Sequence, residues 1–291
     1  MINKLMLSCN TLPNIDTEIN YPVLASGKLD GVRGCVQEQQ LVSRSLKAHT
    51  LNRHATSYLS RAIFEGLDGE LCLAGESWNN FNANQSAFTT QSGEPKFIWH
   101  VFDDISKPFM SAHKRKTLAK ERAQVLFDLG YPVFFCEQEL IYDPSSLRYM
   151  YDKKREEGYE GLILTDPNGL YKHGRSTLKQ GTSLKLKPSS DSEALVIDFI
   201  ELEHNLDAGN SIKKENMVPG NMLGALIVRW NGVMFNIGTG FSLAQRIEIW
   251  TNRDKYLNAF ATFKYMEVFP DTGIPRSPVF KGFRAKVDFH V

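Results

Sequence analysis

The segment Lys28-Leu29-Asp30-Gly31-Val32-Arg33 gathers a lysine, a carboxylate and an arginine around a glycine, just after the apolar run at 22–25. A lysine on a rigid strand end is a candidate nucleophile, because a neighbouring cation and partial burial both favour its neutral amine. Leu67-Asp68-Gly69-Glu70-Leu71 and Glu160-Gly161-Leu162-Ile163-Leu164 each set a glutamate beside a glycine and an apolar strand. In Leu184-Lys185-Leu186-Lys187 apolar and basic residues alternate. Strand geometry therefore turns Lys185 and Lys187 to one face, where both can reach a single phosphate. Net charge is only +1, so any basic surface must be local. One such stretch is present: 171–187 holds Lys172, Arg175, Lys179, Lys185 and Lys187 and no acid.

The elements that must hold these groups alternate through the first part of the chain. Residues 22–26, 35–43, 66–74, 96–103, 132–136, 161–165 and 184–187 read as strands, and 53–64, 112–129 and 145–157 as helices. Ser145 is the expected N-cap of the last helix and Gly158 its C′ residue. The polar stretch 188–192 reads as a loop, a domain boundary and a candidate hinge. Beyond it, 194–200, 223–230, 233–239, 262–269 and 279–289 read as strands. Asn231-Gly232 is a two-residue hairpin signal, and Ser242 with Gln245 makes a capping box that opens a helix over 243–250. Five short strands and one helix predict a small Greek-key barrel of the OB type. The fold class is α+β, with domains at 1–188 and 193–291.

Taken singly, each motif has an ordinary structural reading: a hairpin tip, a strand entry, a core aromatic, the solvent face of an edge strand. Taken in order, they resemble the covalent nucleotidyltransferases, and in particular the ATP-dependent DNA ligases of the small phage and bacterial type. The resemblance runs over nearly the whole chain. It implies an adenylation domain of antiparallel sheets with flanking helices, followed by the OB-type barrel. It implies that Lys28 takes AMP from ATP, with Arg33 of the same motif at the nucleotide. By the same resemblance Glu70 bonds the ribose and helps to hold Mg²⁺, Phe102 of Phe97-Ile98-Trp99-His100-Val101-Phe102-Asp103 stacks on adenine, and Glu160 assists metal and lysine. Lys185 and Lys187 then meet the α-phosphate in catalysis.

Gly224-Ala225-Leu226-Ile227-Val228 and Gly238-Thr239-Gly240-Phe241 resemble the ligase barrel. Arg276-Ser277-Pro278-Val279-Phe280 and Arg284 resemble its C-terminal motif, whose arginines act on the outgoing pyrophosphate. Nicked duplex DNA is the implied partner. Arg44 would hold the nick phosphate, with Asp30, Lys172 and Arg175 also on the DNA. Two departures stand out: Thr165 occupies a position where many relatives are basic, and no tryptophan precedes the lysine pair. Three other readings share parts of this pattern. They are an RNA ligase, a GTP-using guanylyltransferase that caps RNA, and a non-catalytic OB-fold protein. The GTGF segment, the DGEL and EGLIL forms, and the intact lysine, glutamates and arginines respectively argue against them.

The remaining polar residues read as structural. The seven histidines, at 49, 54, 100, 113, 173, 204 and 290, have no metal spacing, and Cys9, Cys35, Cys72 and Cys136 form no CxxC pair. A zinc site or disulfide scaffold is thus not expected, and a reducing bacterial or phage-infected cytoplasm is the natural compartment. No run is long enough to span a membrane, the N-terminus lacks a signal-peptide pattern, and no clamp-binding or zinc segment is appended, so a lone monomer is expected. His113-Lys114-Arg115-Lys116, with Arg122, reads as a solvated helix face, and Asp103-Asp104 as a strand end. The insert 203–221, with Lys213 and Lys214, interrupts the barrel between its first two strands and is expected to grip DNA.

Overall fold

Alternating burial along the strands decides which side chains reach the site. The computed structural model describes residues 2–47, 50–75, 78–205 and 217–284, and its chain divides into two units, Met1–Lys187 and Pro188–Val291. The first unit opens with β1 (Val23–Lys28), β2 (Val32–Gln37), β3 (Gln40–Ser43), α1 (Arg53–Leu59), β4 (Leu67–Leu73) and α2 (Phe81–Thr89). It continues through β5 (Phe97–Asp104), α3 (Ala112–Asp128), β6 (Val133–Phe135), β7 (Gln138–Ile141), α4 (Pro144–Glu156), β8 (Gly161–Thr165) and β9 (Ser183–Leu186). Two sheets result, ordered β7-β1-β8-β9 and β3-β2-β4-β5-β6, antiparallel except where β6 joins β5.

Each sheet buries one face. Val23, Ala25, Leu162, Leu164, Leu184 and Leu186 pack on Leu147 and Met150 of α4. Leu67, Leu71, Trp99 and Val101 pack on Ala119, Ala123 and Leu126 of α3 and Phe88 of α2. Each buried large side chain contributes about 1.5–3 kcal/mol. Period-two alternation then sends Ser26 and Lys28 to the opposite face of the first sheet, and Arg33, Glu70 and Phe102 to the opposite face of the second.

Several expectations need correction. The stretch 35–43 is not one strand but the hairpin of β2 and β3, turning at Glu38 and Gln39, both at positive φ (54° and 57°). Neither residue is a usual turn former. Their N–H groups instead donate to the Glu65 carboxylate at 3.0 and 2.7 Å, which holds the turn from a distance. The helix expected over 53–64 stops at Leu59, and a 3₁₀ turn, Ala62–Phe64, follows. The N-cap of α4 is Asp143, not Ser145: Asp143 accepts from Ser146 N–H at 2.9 Å, and Pro144 takes the first helical position. Gly158, at φ 91°, does follow the helix end.

The basic face of α3 is solvated only in part: His113 and Lys114 are exposed, but the residues that follow them turn inward. Arg115 is fully buried and donates to both oxygens of Asp103, at 3.0 and 3.2 Å. Lys116 is buried too, and Arg122 pairs with Asp104 at 2.8 Å. The strand-end carboxylates draw these cations inward, because a buried charge must be paired.

The second unit consists of β10 (Ser190–Asn205), β11 (Met217–Trp230), β12 (Val233–Ile237), α5 (Leu243–Thr251), α6 (Arg253–Tyr256), β13 (Phe260–Tyr265) and β14 (Val279–Phe283). The Asn231-Gly232 turn has both residues at positive φ, and the Ser242–Gln245 capping box is formed. Among the described residues the five strands make an open sheet, β12-β11-β10-β13-β14, rather than a closed barrel; its edges meet only at the bridge Thr239↔Val279. Since β10 begins at Ser190, most of the expected 188–192 loop is strand. The 203–221 insert is likewise not a loop at its flanks. Glu203, His204 and Asn205 pair with Pro219, Val218 and Met217, so the ladder of β10 and β11 continues outward. Lys213 and Lys214 lie outside the described residues.

Candidate active site

Lys28 is the last residue of the buried central strand β1. Its partner on β8 is Gly161, while Ser26 faces Ile163, which in turn faces Lys185 on β9. Lys28 and Lys185 therefore share a face two strands apart. The Lys28 ammonium contacts Glu160 Oε2 directly, the carboxylate side chain being only 5% exposed and the lysine 23%. Glu160 N–H donates to Lys28 C=O at 2.8 Å, so backbone and side chain both tie the pair. Two glycines let the backbone beside the pair pack closely on β9 and β4. A Cβ at Gly161 would lie 2.0 Å from the Leu186 carbonyl, and one at Gly31 would lie 2.3 Å from that of Leu71. Helix α2, absent from the sequence-based expectations, pins the turn after Lys28. Buried Asn84 donates to Asp30 C=O at 3.0 Å, and Gln85 to Gly31 C=O at 3.2 Å.

On the second sheet Arg33 faces Glu70 across β2 and β4. The Arg33 fork is already engaged: it donates to both oxygens of buried Asp68, at 3.0 and 2.5 Å, and to Met6 C=O at 2.7 Å. Its guanidinium lies 5.4 Å from the Phe102 ring centre. Arg33 thus acts on the aromatic rather than offering a free fork. Phe102 is held from behind, its C=O accepting from Lys116 Nζ at 3.1 Å and Gln138 Nε2 at 3.0 Å. It packs against the buried cluster of Leu29, Cys72 and Cys136, as do Trp78 and Tyr159. With adenine stacked on this ring, as the resemblance implies, Phe102→Ala should weaken ATP capture by roughly 1–3 kcal/mol, about 5- to 150-fold. Phe102→Tyr should be milder. ATP dependence of adduct formation, measured beside the melting temperature, separates this from a loss of core packing.

Burial pushes the Glu70 carboxyl up to about 7, with Lys28 and Arg33 pulling the other way and Asp68 and Glu160 adding to the rise. This has a definite sign. A carboxyl whose folded pKa is raised stabilises the fold below its unfolded pKa, and that contribution is lost as pH rises through the folded value. Metal-free protein should lose up to about 3 kcal/mol between pH 4.5 and 7 from this group. Glu70→Gln should flatten that limb in a denaturant series run with chelator. Unchanged pH dependence in the variant would refute the assignment.

Lys185 is pushed down to about 8, by burial first, then by Lys187, Lys28 and Arg175, with Glu160 opposing. Among the described residues no group of three or more His, Cys, Asp or Glu converges as a metal cage. Glu70 and Glu160 alone suit Mg²⁺, which takes one or two carboxylates and completes its shell with water and phosphate. Lys172 is partly buried, and Arg44 and Arg175 are exposed. In the second unit, Arg276 is buried and pairs with Glu267 at 3.0 Å, and exposed Arg284 pairs with Glu193 at 2.8 Å. Asp68 in the Arg33 fork, Asn84 behind the turn, and Asn10, whose Oδ1 accepts from Lys185 Nζ at 3.1 Å, carry parts of the site that motif reading did not assign. Asp68 lies within a motif already noticed, whereas the two asparagines had no local signal.

Comparison with known proteins follows the same outline. A family model for the ATP-dependent DNA ligase domain matches residues 5–187, and one for a DNA ligase OB-like domain matches 216–284. A DNA ligase of Enterobacteria phage T3 is 30% identical over 154 residues, 51% of this chain and 40% of that ligase. A DNA ligase of Haemophilus influenzae is 26% identical over 90% of this chain and 88% of its own length. The crystal structure of a Chlorella virus DNA ligase–adenylate superposes with a TM-score of 0.58 at 32% identity, covering 98% of this chain and all of that one. The chain belongs to the ATP-dependent DNA ligase family.

Proposed function

We propose that this chain seals nicks in duplex DNA through three nucleotidyl transfers, with Lys28 as the covalent carrier of AMP. The observation that supports it most strongly is the Lys28–Glu160 contact at the end of β1, with Lys185 on the same face. Lysine attacks only as the neutral amine, and Glu160, in contact with its nitrogen, orients it for attack. Lys28 Nζ forms a bond to the α-phosphorus of ATP as the bond to pyrophosphate breaks. The 5′-phosphate of the nick then takes AMP from the lysine. Finally the 3′-hydroxyl attacks that phosphate, AMP leaves, and a phosphodiester remains.

The chain's own groups have separate tasks. Phe102 orients the adenine, and Arg33 with Asp68 fixes Phe102. Lys185 and Lys187 neutralise α-phosphate oxygens in every step. Glu70 and Glu160 would hold Mg²⁺, which when bound supplies charge stabilisation to the phosphate oxygens. Arg276 and Arg284 serve pyrophosphate departure, where an arginine fork suits phosphate oxygens. Asp30, Arg44, Lys172 and Arg175 contact the nicked strand. Among the described residues no helix is long and apolar enough to cross a membrane. The test is sealing of a nicked duplex with ATP against GTP, and with DNA against RNA strands. ATP-specific sealing of nicked DNA is expected; GTP-only adduct formation, or sealing confined to RNA, would overturn the reading.

A further inference from the structure

Residues 6–10 form a strap along the segment 171–185. Leu7 N–H donates to Gly174 C=O at 2.9 Å, Ser176 N–H to Leu7 C=O at 2.8 Å, and Cys9 N–H to Ser183 C=O at 3.0 Å. The hydroxyls of Ser8 and Ser183 join at 2.8 Å. Asn10 ends the strap. Its Oδ1 accepts from Arg175 Nη1 at 2.8 Å and from Lys185 Nζ at 3.1 Å, and the same Arg175 nitrogen donates to Ser8 C=O at 2.8 Å. Both partners can only donate, so the amide must turn its oxygen to them.

A single neutral oxygen bridging a guanidinium and an ammonium is the arrangement a phosphate oxygen would make. The groups around Lys185 are cationic (Lys28, Lys187 and Arg175) except for Glu160. An aspartate at position 10 would hold the two cations more tightly but would cancel their charge. An amide holds them at hydrogen-bonding distance and leaves the charge for an incoming anion.

We propose that Asn10 is a placeholder: its Oδ1 keeps Arg175 and Lys185 together as one anion site, and a phosphate oxygen of the substrate takes its place on binding. The proposal rests on Lys28 being the AMP acceptor. Two sources share the required chemistry, the α-phosphate of ATP and the phosphate backbone at the nick. Asn10 is a positioning residue, since it reaches the substrate through Arg175 and Lys185.

The test compares Asn10→Asp, Asn10→Ala and Asn10→Ser in the full chain. One arm is adduct formation against ATP concentration; the other is nicked-duplex affinity across a salt series. Asn10→Asp should weaken phosphate binding on the order of tenfold, because it occupies both cations with a rival anion. Asn10→Ala should lose only about two- to fivefold, the worth of a pre-organising hydrogen bond, and Asn10→Ser, which returns an acceptor oxygen, should recover part of that loss. If the phosphate belongs to DNA, the Asp variant should also flatten the salt dependence by about one phosphate contact. Loss confined to the ATP arm assigns the site to the nucleotide, and loss confined to the duplex arm assigns it to the nick; either supports the placeholder. Equal losses in Asp and Ala, tracking a lowered melting temperature with an unchanged salt slope, would overturn it. The wild-type control keeps the two claims apart. A wild type without adduct would remove the ligase reading, whereas a sealing wild type with unaffected variants would remove only this one.

Discussion

Lys28→Ala should abolish the protein–AMP adduct. Lys28 combines a strand-end position with a buried carboxylate partner, Glu160. Lys28→Arg should fail as completely, because a guanidinium stays protonated and cannot attack phosphorus. The variants should nevertheless retain sealing of a nick supplied already adenylylated, since the last transfer uses the 3′-hydroxyl as nucleophile. That split is the signature of a covalent carrier. A binding or structural lysine would impair both assays together, and a normal adduct yield in either variant would end the assignment.

Lys185→Ala should act differently from Arg276→Ala or Arg284→Ala. Lys185 shares the face of Lys28 and is assigned to the α-phosphate in every step, so its loss should slow both adduct formation and sealing of the adenylylated nick, on the order of a hundredfold. The two arginines are assigned to pyrophosphate departure alone. Their loss should slow adduct formation and spare the final sealing step. Matched single-turnover assays of the two steps read this directly. Equal damage to both steps in an arginine variant would contradict the division of labour.

The parts of the site written as strand motifs were legible because strand periodicity carries a face with it. Lys28, Glu70, Phe102, Glu160 and Lys185 each sit at or beside a strand whose alternate residues are plainly apolar, so the polar face could be read without a structure. What was not legible depends on partners distant in sequence. The Glu38–Gln39 turn is held by Glu65, so the local residues carry no turn signal. Arg115 and Lys116 look like surface charge until Asp103 and the Phe102 carbonyl are brought beneath α3. Nothing around Arg33, expected at the nucleotide, signals that Asp68 fills its fork. Asn10 lies far from every motif and becomes part of the site only when the strap is laid along 171–185. In the second unit the strands themselves were readable, but not how little the open sheet closes on itself or how far β10 and β11 extend as a ladder.

The central claim, that Lys28 carries AMP from ATP to a DNA nick, is tested most directly by following the label. The protein is incubated with α-labelled ATP and Mg²⁺, the adduct is mapped by peptide mass, and nicked duplex DNA is then added without further nucleotide. The account predicts label on the peptide holding Lys28, followed by its loss from the protein as the nick is sealed and labelled AMP is released. Label on another residue, or an adduct at Lys28 that nicked DNA cannot discharge, would contradict it.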